Sequence, residues 1–206
     1  MPGKVIILNG ASSSGKTTLA LALQQQLAEP YQHISLDQFR DGLPARTRGL
    51  NAPAGTPGAS GLNVVPDLTE GEPLTHIRFG DHGAQVMRAM RRSVRTFSDL
   101  GLHVIVDDLM FEPDWLLDYA NLLSVEHTWV IGIFCDPEEI ERREAQRLGR
   151  FPGTARAHTQ LVHSHGGNYD LQVDSSAGSA HDLATGIIAR LQYPPQMLRV
   201  LADATS

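Results

Sequence analysis

The chain has 206 residues, 41% of them hydrophobic and 19% charged, with a formal net charge of −6. Those proportions exclude a disordered or fibrous protein and suit one globular domain with a sizeable core. The acidic balance argues against a nucleic-acid partner, and the single cysteine, Cys135, excludes an internal disulfide framework.

The chain opens MPGKVIILNG, with one Lys and a short apolar run. That run is too short for a secretory signal, and no stretch approaches the ~18 apolar residues of a membrane span. The expectation is a cytoplasmic protein. Residues 5–8 read as a strand buried on both faces, bounded by Gly10. Residues 17–29 read as a helix with Leu19, Leu23 and Leu27 on one face and Pro30 as its stop. A short second strand, 33–36, ends at Asp37. Residues 44–76 carry five Gly and five Pro, which rules out a long helix or a central strand there. That insertion reads either as a surface excursion or as a loop over a substrate.

A long helix is expected over 77–100, with Met87, Met90, Val94 and Phe97 as its apolar stripe and Arg88, Arg92 and Arg95 on a solvated face. Strands follow at 102–110 and 128–136, then a charge-rich helix at 137–150 and a break at Pro152 and Gly153. A last strand at 169–176 precedes a helix at 180–191. Strand and helix alternate throughout, so the predicted fold is a three-layer α/β doubly wound parallel sheet, one domain over 1–206.

Gly10 to Thr17, GASSSGKT, satisfies G-x-x-x-x-G-K-[ST] without mismatch, between a buried strand and an amphipathic helix. Such a P-loop aims successive backbone N–H groups at a phosphate, and glycines allow the close approach. The candidate nucleotide-binding residues are therefore Gly10, Ala11, Ser12, Ser13, Ser14, Gly15, Lys16, Thr17 and Thr18. Lys16 supplies charge beside the β- and γ-phosphates, and the Thr17 hydroxyl is a candidate Mg²⁺ ligand. The strand HVIVDD ends in two acids. Side chains alternate along a strand, so the two acids face different surroundings; Asp107, the first after the run, is favoured for the metal and Asp108 for a substrate contact, with the division between them left open.

Phosphoryl transfer to an alcohol also needs a carboxylate for the hydroxyl and cations for the transition state. Asp37 is the candidate base, at the sheet edge where α/β folds bind ligands; a helix N-cap is its structural alternative. Arg143, Arg147 and Arg150 are spaced to share a helical face with Arg142 nearby, and read either as phosphate ligands or as partners of Glu138, Glu141 and Glu144. His163 and His165 lack a carboxylate or thiol at ligand spacing, which favours a structural or surface role over a metal. Cys135 reads as packing.

Five segments together, IILNGASSSGKTT, SLDQFRDGLP, VIVDDLM, CDPEEIERREAQRLGR and VHSHGGNYDLQVDSS, resemble the chloramphenicol phosphotransferase family of P-loop kinases over most of the chain. The resemblance implies transfer of a phosphoryl group from ATP, with Mg²⁺, to a hydroxyl of a small molecule, plausibly an antibiotic. It implies that Asp37 is the catalytic base and that Arg143, Arg147 and Arg150 are lid arginines over the nucleotide, within a lid at 138–156. Residues 44–76, where that family builds its acceptor pocket, do not match residue by residue. The alternatives are a kinase for a sugar, nucleotide-sugar or polynucleotide hydroxyl, or a non-catalytic nucleotide-binding module. Expected partners are a small hydroxylated substrate, with neither nucleic acid nor membrane; homo-oligomerisation stays open.

Overall fold

Buried apolar runs become the strands of the main sheet. In the computed structural model, which describes residues 1–67, 73–147, 149, 151–165 and 168–205, they are β1 (Val5–Gly10), β2 (Tyr31–Ser35), β6 (His103–Asp108), β7 (Thr128–Phe134) and β8 (Leu171–Asp174). Three more strands, β3 (Arg48–Leu50), β4 (Leu62–Asp67) and β5 (Leu74–Phe79), lie between β2 and β6 in the chain. The helices are α1 (Lys16–Gln26), α2 (Leu36–Asp41), α3 (Pro57–Ser60), α4 (Asp81–Asp99), α5 (Pro113–Leu122), α6 (Pro137–Ala145), α7 (Thr154–Leu161), α8 (Ala180–Arg190) and α9 (Met197–Thr205).

The main sheet runs β2-β6-β1-β7-β8 with every neighbouring pair parallel. The direction in which strands are added reverses at β1, so the crevice at its C-terminal end is where such a sheet takes ligands. Alternation along β1 feeds two cores. Val5 and Ile7 pack with Met87, Met90 and Val94 of α4 and with Leu116 and Tyr119 of α5. Ile6 and Leu8 pack with Leu19 and Leu23 of α1 and Ile187 of α8. Each fully buried Leu or Ile contributes about 1.5–3 kcal/mol, so the three layers hold through this two-sided burial.

Several boundaries differ from expectation for local reasons. The second strand stops at Ser35, not Asp37. Ser35 Oγ accepts from Gln38 N (3.2 Å) and Gln38 Oε1 accepts from Ser35 N (3.0 Å), a capping box that starts α2 one residue early. Asp37 therefore sits in the first helical turn, and the N-cap is Ser35. The long helix begins at Asp81 rather than 77 because residues 74–79 pair antiparallel with 62–67. The Gly/Pro-rich insertion is thus no structureless loop: with β5 it builds a second, three-stranded sheet, β3-β4-β5. The charge-rich helix ends at Ala145, five residues short, and α2, α3, α5, α7 and α9 are additional to the predicted set.

Glu144 explains how the chain turns after α6. Its buried carboxylate accepts from Gly153 N (2.9 Å) and Ala155 N (2.7 Å), satisfying donors at the start of α7. The small sheet is fastened to the same place, where Thr75 Oγ1 donates to Pro152 O (2.8 Å) and Thr75 N to Gly153 O (3.3 Å). No helix among the described residues is long and apolar enough to cross a membrane.

Candidate active site

The P-loop fills the space between β1 and α1. Gly15 stands in the left-handed region (φ 90°) as the residue before α1, and Ser13 shares that region at φ 63°, a strained setting for a residue with a side chain. Lys16 Nζ donates to Gly10 O and Ala11 O, both at 2.8 Å, so the ammonium curls over the loop it follows. Burial lowers its pKa from the ordinary value, with Asp107, Asp37 and Asp108 pulling the other way. Ser13 Oγ and Ser14 Oγ are buried with no hydrogen-bond partner among the described residues, beside a cavity of about 710 Å³. Orphaned hydroxyls, a buried ammonium and a helix N-terminus fit the oxygens of a polyphosphate.

Thr17 Oγ1 donates to Asp107 Oδ2 at 2.6 Å, and Asp107 Oδ1 lies 3.7 Å from Lys16 Nζ. A hydroxyl beside a carboxylate at the phosphate end suits Mg²⁺, a cation that keeps waters and phosphate oxygens as most of its ligands. His33 of β2 brings Nε2 to 3.9 Å from Asp107 Oδ2, a neighbour that the sequence did not single out. The alternation of β2 puts His33 on the same face of the sheet as Ser35, whose register partner is Asp107, and was the available signal.

Asp108 faces the opposite side. It is fully buried, accepts from Tyr119 Oη (2.7 Å) and Leu109 N (2.7 Å), and its carboxyl pKa is raised chiefly by burial. It lines neither the P-loop cavity nor the apolar cavity beside it, so the assignment of a substrate contact is corrected: this acid anchors α5 to β6. The Tyr119 hydroxyl is pushed well above its ordinary pKa by burial and then by Asp108.

Asp37 sits where two cavities meet. With Leu36, Leu109 and Arg147 it lines both the P-loop cavity and a second one of about 580 Å³. Arg40 Nη1 donates to Asp37 Oδ1 at 2.6 Å and fixes that carboxylate. The second cavity is walled by Leu50, Leu62, Val64 and Ile77 of the small sheet and by Phe111 and Phe151. His158 of α7, itself buried, completes it, edge-on to Phe111 at 4.7 Å between ring centroids. These residues were not singled out from the sequence, since they come from the small sheet, the turn after β6, the strap between α6 and α7, and α7.

The arginines divide. Arg142 pairs with Glu139 through Nε and Nη2, both at 2.7 Å, on the surface of α6. Arg143 bonds Glu139 (2.7 Å) and both Ser175 Oγ (3.1 Å) and Ser175 O (2.9 Å), while lining the P-loop cavity. Hydrogen bonds from Arg142 and then Arg143 pull Glu139 down to a pKa of about 2. Arg147 lies past the end of α6, so it does not share a helical face with Arg143. Arg150 lies outside the described residues. Ser12 and Thr18 line the P-loop cavity with Ser13, Gly15, Lys16 and Thr17, whereas Gly10, Ala11 and Ser14 are not part of its lining.

His163 and His165 belong to a hydrogen-bonded cluster behind the P-loop. Tyr169 Oη lies 2.6 Å from His163 Nδ1 and 2.9 Å from His165 Nε2, and accepts from Asn9 Nδ2 at 2.8 Å. Asn9 also donates to Val162 O (2.6 Å) and accepts from Met110 N (3.0 Å). Burial, then His165, lowers His163 to about 4, and burial raises Tyr169 to about 12. Cys135 packs partly buried against the core.

The model of the "chloramphenicol phosphotransferase-like protein" family matches residues 3–192. The chain belongs to this family. A Mycobacterium tuberculosis (strain H37Rv) protein carrying the provisional name O-phosphotransferase is 32% identical over 201 residues, covering 94% of this chain and 84% of that protein. Among solved structures, the APS kinase of Mycobacterium tuberculosis in complex with AMPPNP and APS superposes with a TM-score of 0.61 at 16% identity, covering 93% of this chain and 99% of its own. A sugar kinase from Janibacter sp. gives 0.62 at 14% identity, with 93% and 95% covered. The tunicamycin resistance protein of Deinococcus radiodurans gives 0.56 at 14% identity, with 94% and 98% covered. At such identities the superpositions establish the P-loop kinase fold. Family membership makes the chain a phosphotransferase, of the small-molecule kinase class.

Proposed function

We propose that this phosphotransferase moves the γ-phosphoryl group of ATP, with Mg²⁺, onto a hydroxyl of a small molecule with an apolar body, an aryl alcohol antibiotic such as chloramphenicol being one candidate. The observation that carries this is the shared boundary: Asp37 and Arg147 line both the phosphate cavity and the apolar one. A phosphoryl group crossing from one cavity to the other passes between them. The wall formed by Leu50, Leu62, Val64, Ile77, Phe111 and Phe151 suits a hydrophobic body on the acceptor, while the polar groups gather around Asp37, Arg40, Arg48 and Arg147. The domain would then be a single unit in which the 44–76 insertion walls the acceptor and 138–156 closes over the nucleotide.

The transfer forms a bond between the acceptor oxygen and the γ-phosphorus and breaks the bond from that phosphorus to the β–γ bridging oxygen. The products are a phosphomonoester and ADP. Asp37, held by Arg40, orients the hydroxyl and receives its proton. Lys16 and Arg147 balance charge on the phosphoryl oxygens, and the P-loop N–H groups hold the rest of the chain of phosphates. Thr17 and Asp107 would hold Mg²⁺, which supplies charge neutralisation across the β- and γ-phosphates. Buried Leu62 and the exposed Phe151 ring give the acceptor side an apolar wall.

A panel of hydroxylated antibiotics, aryl alcohols and sugars, scored by ADP release and product mass, tests the reading. Stimulated ADP release with a phosphorylated aryl alcohol supports it; ATP binding with no alcohol ever phosphorylated would leave a nucleotide-binding module instead.

A further inference from the structure

One cation of the apolar cavity has no part in the proposed transfer. Arg48 opens β3 and lines that cavity beside Asp37, Arg40 and Leu50. Arg40 is occupied: it holds Asp37 through Nη1 and Asp41 through Nε (2.9 Å) and Nη2 (2.9 Å). Both carboxylates of that turn are thereby directed at Arg40. Arg48 pairs with neither. Its Nη2 donates to the main-chain carbonyls of Arg40 (2.9 Å) and Asp41, which anchors the guanidinium without cancelling its charge. Its Nε and Nη1 make no hydrogen bond among the described residues.

Arg48 is exposed, anchored by main-chain carbonyls, and lines a cavity without pairing to a carboxylate among the described residues, and a guanidinium so held is a recognition element for an anion. Side-chain anchoring also matters entropically, because the ligand need not immobilise a long flexible arm. Provided that the cavity beside Asp37 is the acceptor site, we infer that the acceptor is an anionic alcohol, which narrows the proposed class and sets aside uncharged aryl alcohols such as chloramphenicol itself. It carries a carboxylate or comparable oxyanion that docks on Arg48 while its hydroxyl faces Asp37. The apolar wall between those two points takes the hydrophobic body. Arg48 is then a specificity-determining residue, without contact to the transferred phosphoryl group.

Matched aryl alcohols separate this from a merely structural arginine. The probes are 4-(hydroxymethyl)benzoate and its neutral methyl amide, with wild type, Arg48→Gln and Arg48→Lys. Binding is read by calorimetry on protein saturated with a non-hydrolysable ATP analogue, and transfer separately by product mass with ATP. The expected result is binding of the carboxylate about tenfold or more tighter than the amide, the size of a hydrogen bond to a charged group. Arg48→Gln abolishes that preference while leaving the amide unchanged, and Arg48→Lys restores part of it. Equal binding of the two probes by wild type, binding of neither, or an equal loss for both in Arg48→Gln overturns the inference. Retained carboxylate preference without phosphorylated product would instead sink the kinase reading and leave the anion site standing.

Discussion

The two cavities meeting at Asp37 are built by different means. The phosphate side is a contiguous turn, Gly10 to Thr17, in which backbone groups and one buried ammonium do the holding. The side proposed for the acceptor is assembled from α2, the small sheet, the Arg147 segment and α7, residues more than a hundred positions apart, and there side chains would do the holding. Backbone recognition needs a fixed spacing of glycines and tolerates little change. Side-chain recognition needs only shape and polarity, which many sequences supply. A family can therefore keep the first and vary the second, which separates the chemistry of transfer from the choice of acceptor.

The sharpest break of that comparison is at the boundary. Asp37→Asn is expected to lower turnover by about 10²–10⁴ while nucleotide affinity stays within about twofold, measured by ADP release and calorimetry. A loss confined to nucleotide affinity would assign Asp37 to the phosphate side alone. Next comes Lys16→Met, which removes the cation that Gly10 O and Ala11 O accept from, and should lower turnover on the order of 10²–10³ together with weaker ATP binding. Phe151→Ala sharpens the other half. Removing one partly exposed ring should raise the acceptor KM about tenfold with the ATP KM unchanged; parallel changes in both constants would merge the two cavities into one.

Tyr119→Phe tests the division between the adjacent acids. It strips a buried carboxyl of its side-chain donor, leaving only Leu109 N, and should cost about 1–3 kcal/mol of stability by thermal unfolding, with kcat/KM little changed. The smallest effect concerns His163. Its folded pKa, about 4, lies below the ordinary value, so the neutral ring is the one the fold prefers. The associated stability is present above about 6.5 and is lost as pH falls toward about 4. His163→Gln should flatten that part of the stability profile, followed as Tm against pH.

The phosphate side was legible because its signals are local. The motif is continuous, and Asp107 follows an apolar run that ends at the sheet edge. Asp108 was misread because alternation tells which acids differ in facing, but not that Tyr119, eleven residues on, waits inside. Ser35 and Gln38 did carry a readable capping signature, and it would have moved Asp37 from strand end to first helical turn. The small sheet was hidden by composition: Pro66 sits within β4 and five glycines punctuate the segment, so propensity argued for loop while pairing with 74–79 decided for strand. The bond between Asn9 and Tyr169 joins residues 160 positions apart, which no window along the chain contains.

Gly153 holds a positive φ of 77°, and a methyl group added there would stand 1.9 Å from the carbonyl oxygen of Pro73. That single hydrogen in place of a side chain lets the insertion lie flush on the strap between α6 and α7, which also carries Arg147. In the proposed transfer, entry of one reactant and enclosure of the other are thereby hinged on a common seam, and any residue bulkier than glycine would wedge it open.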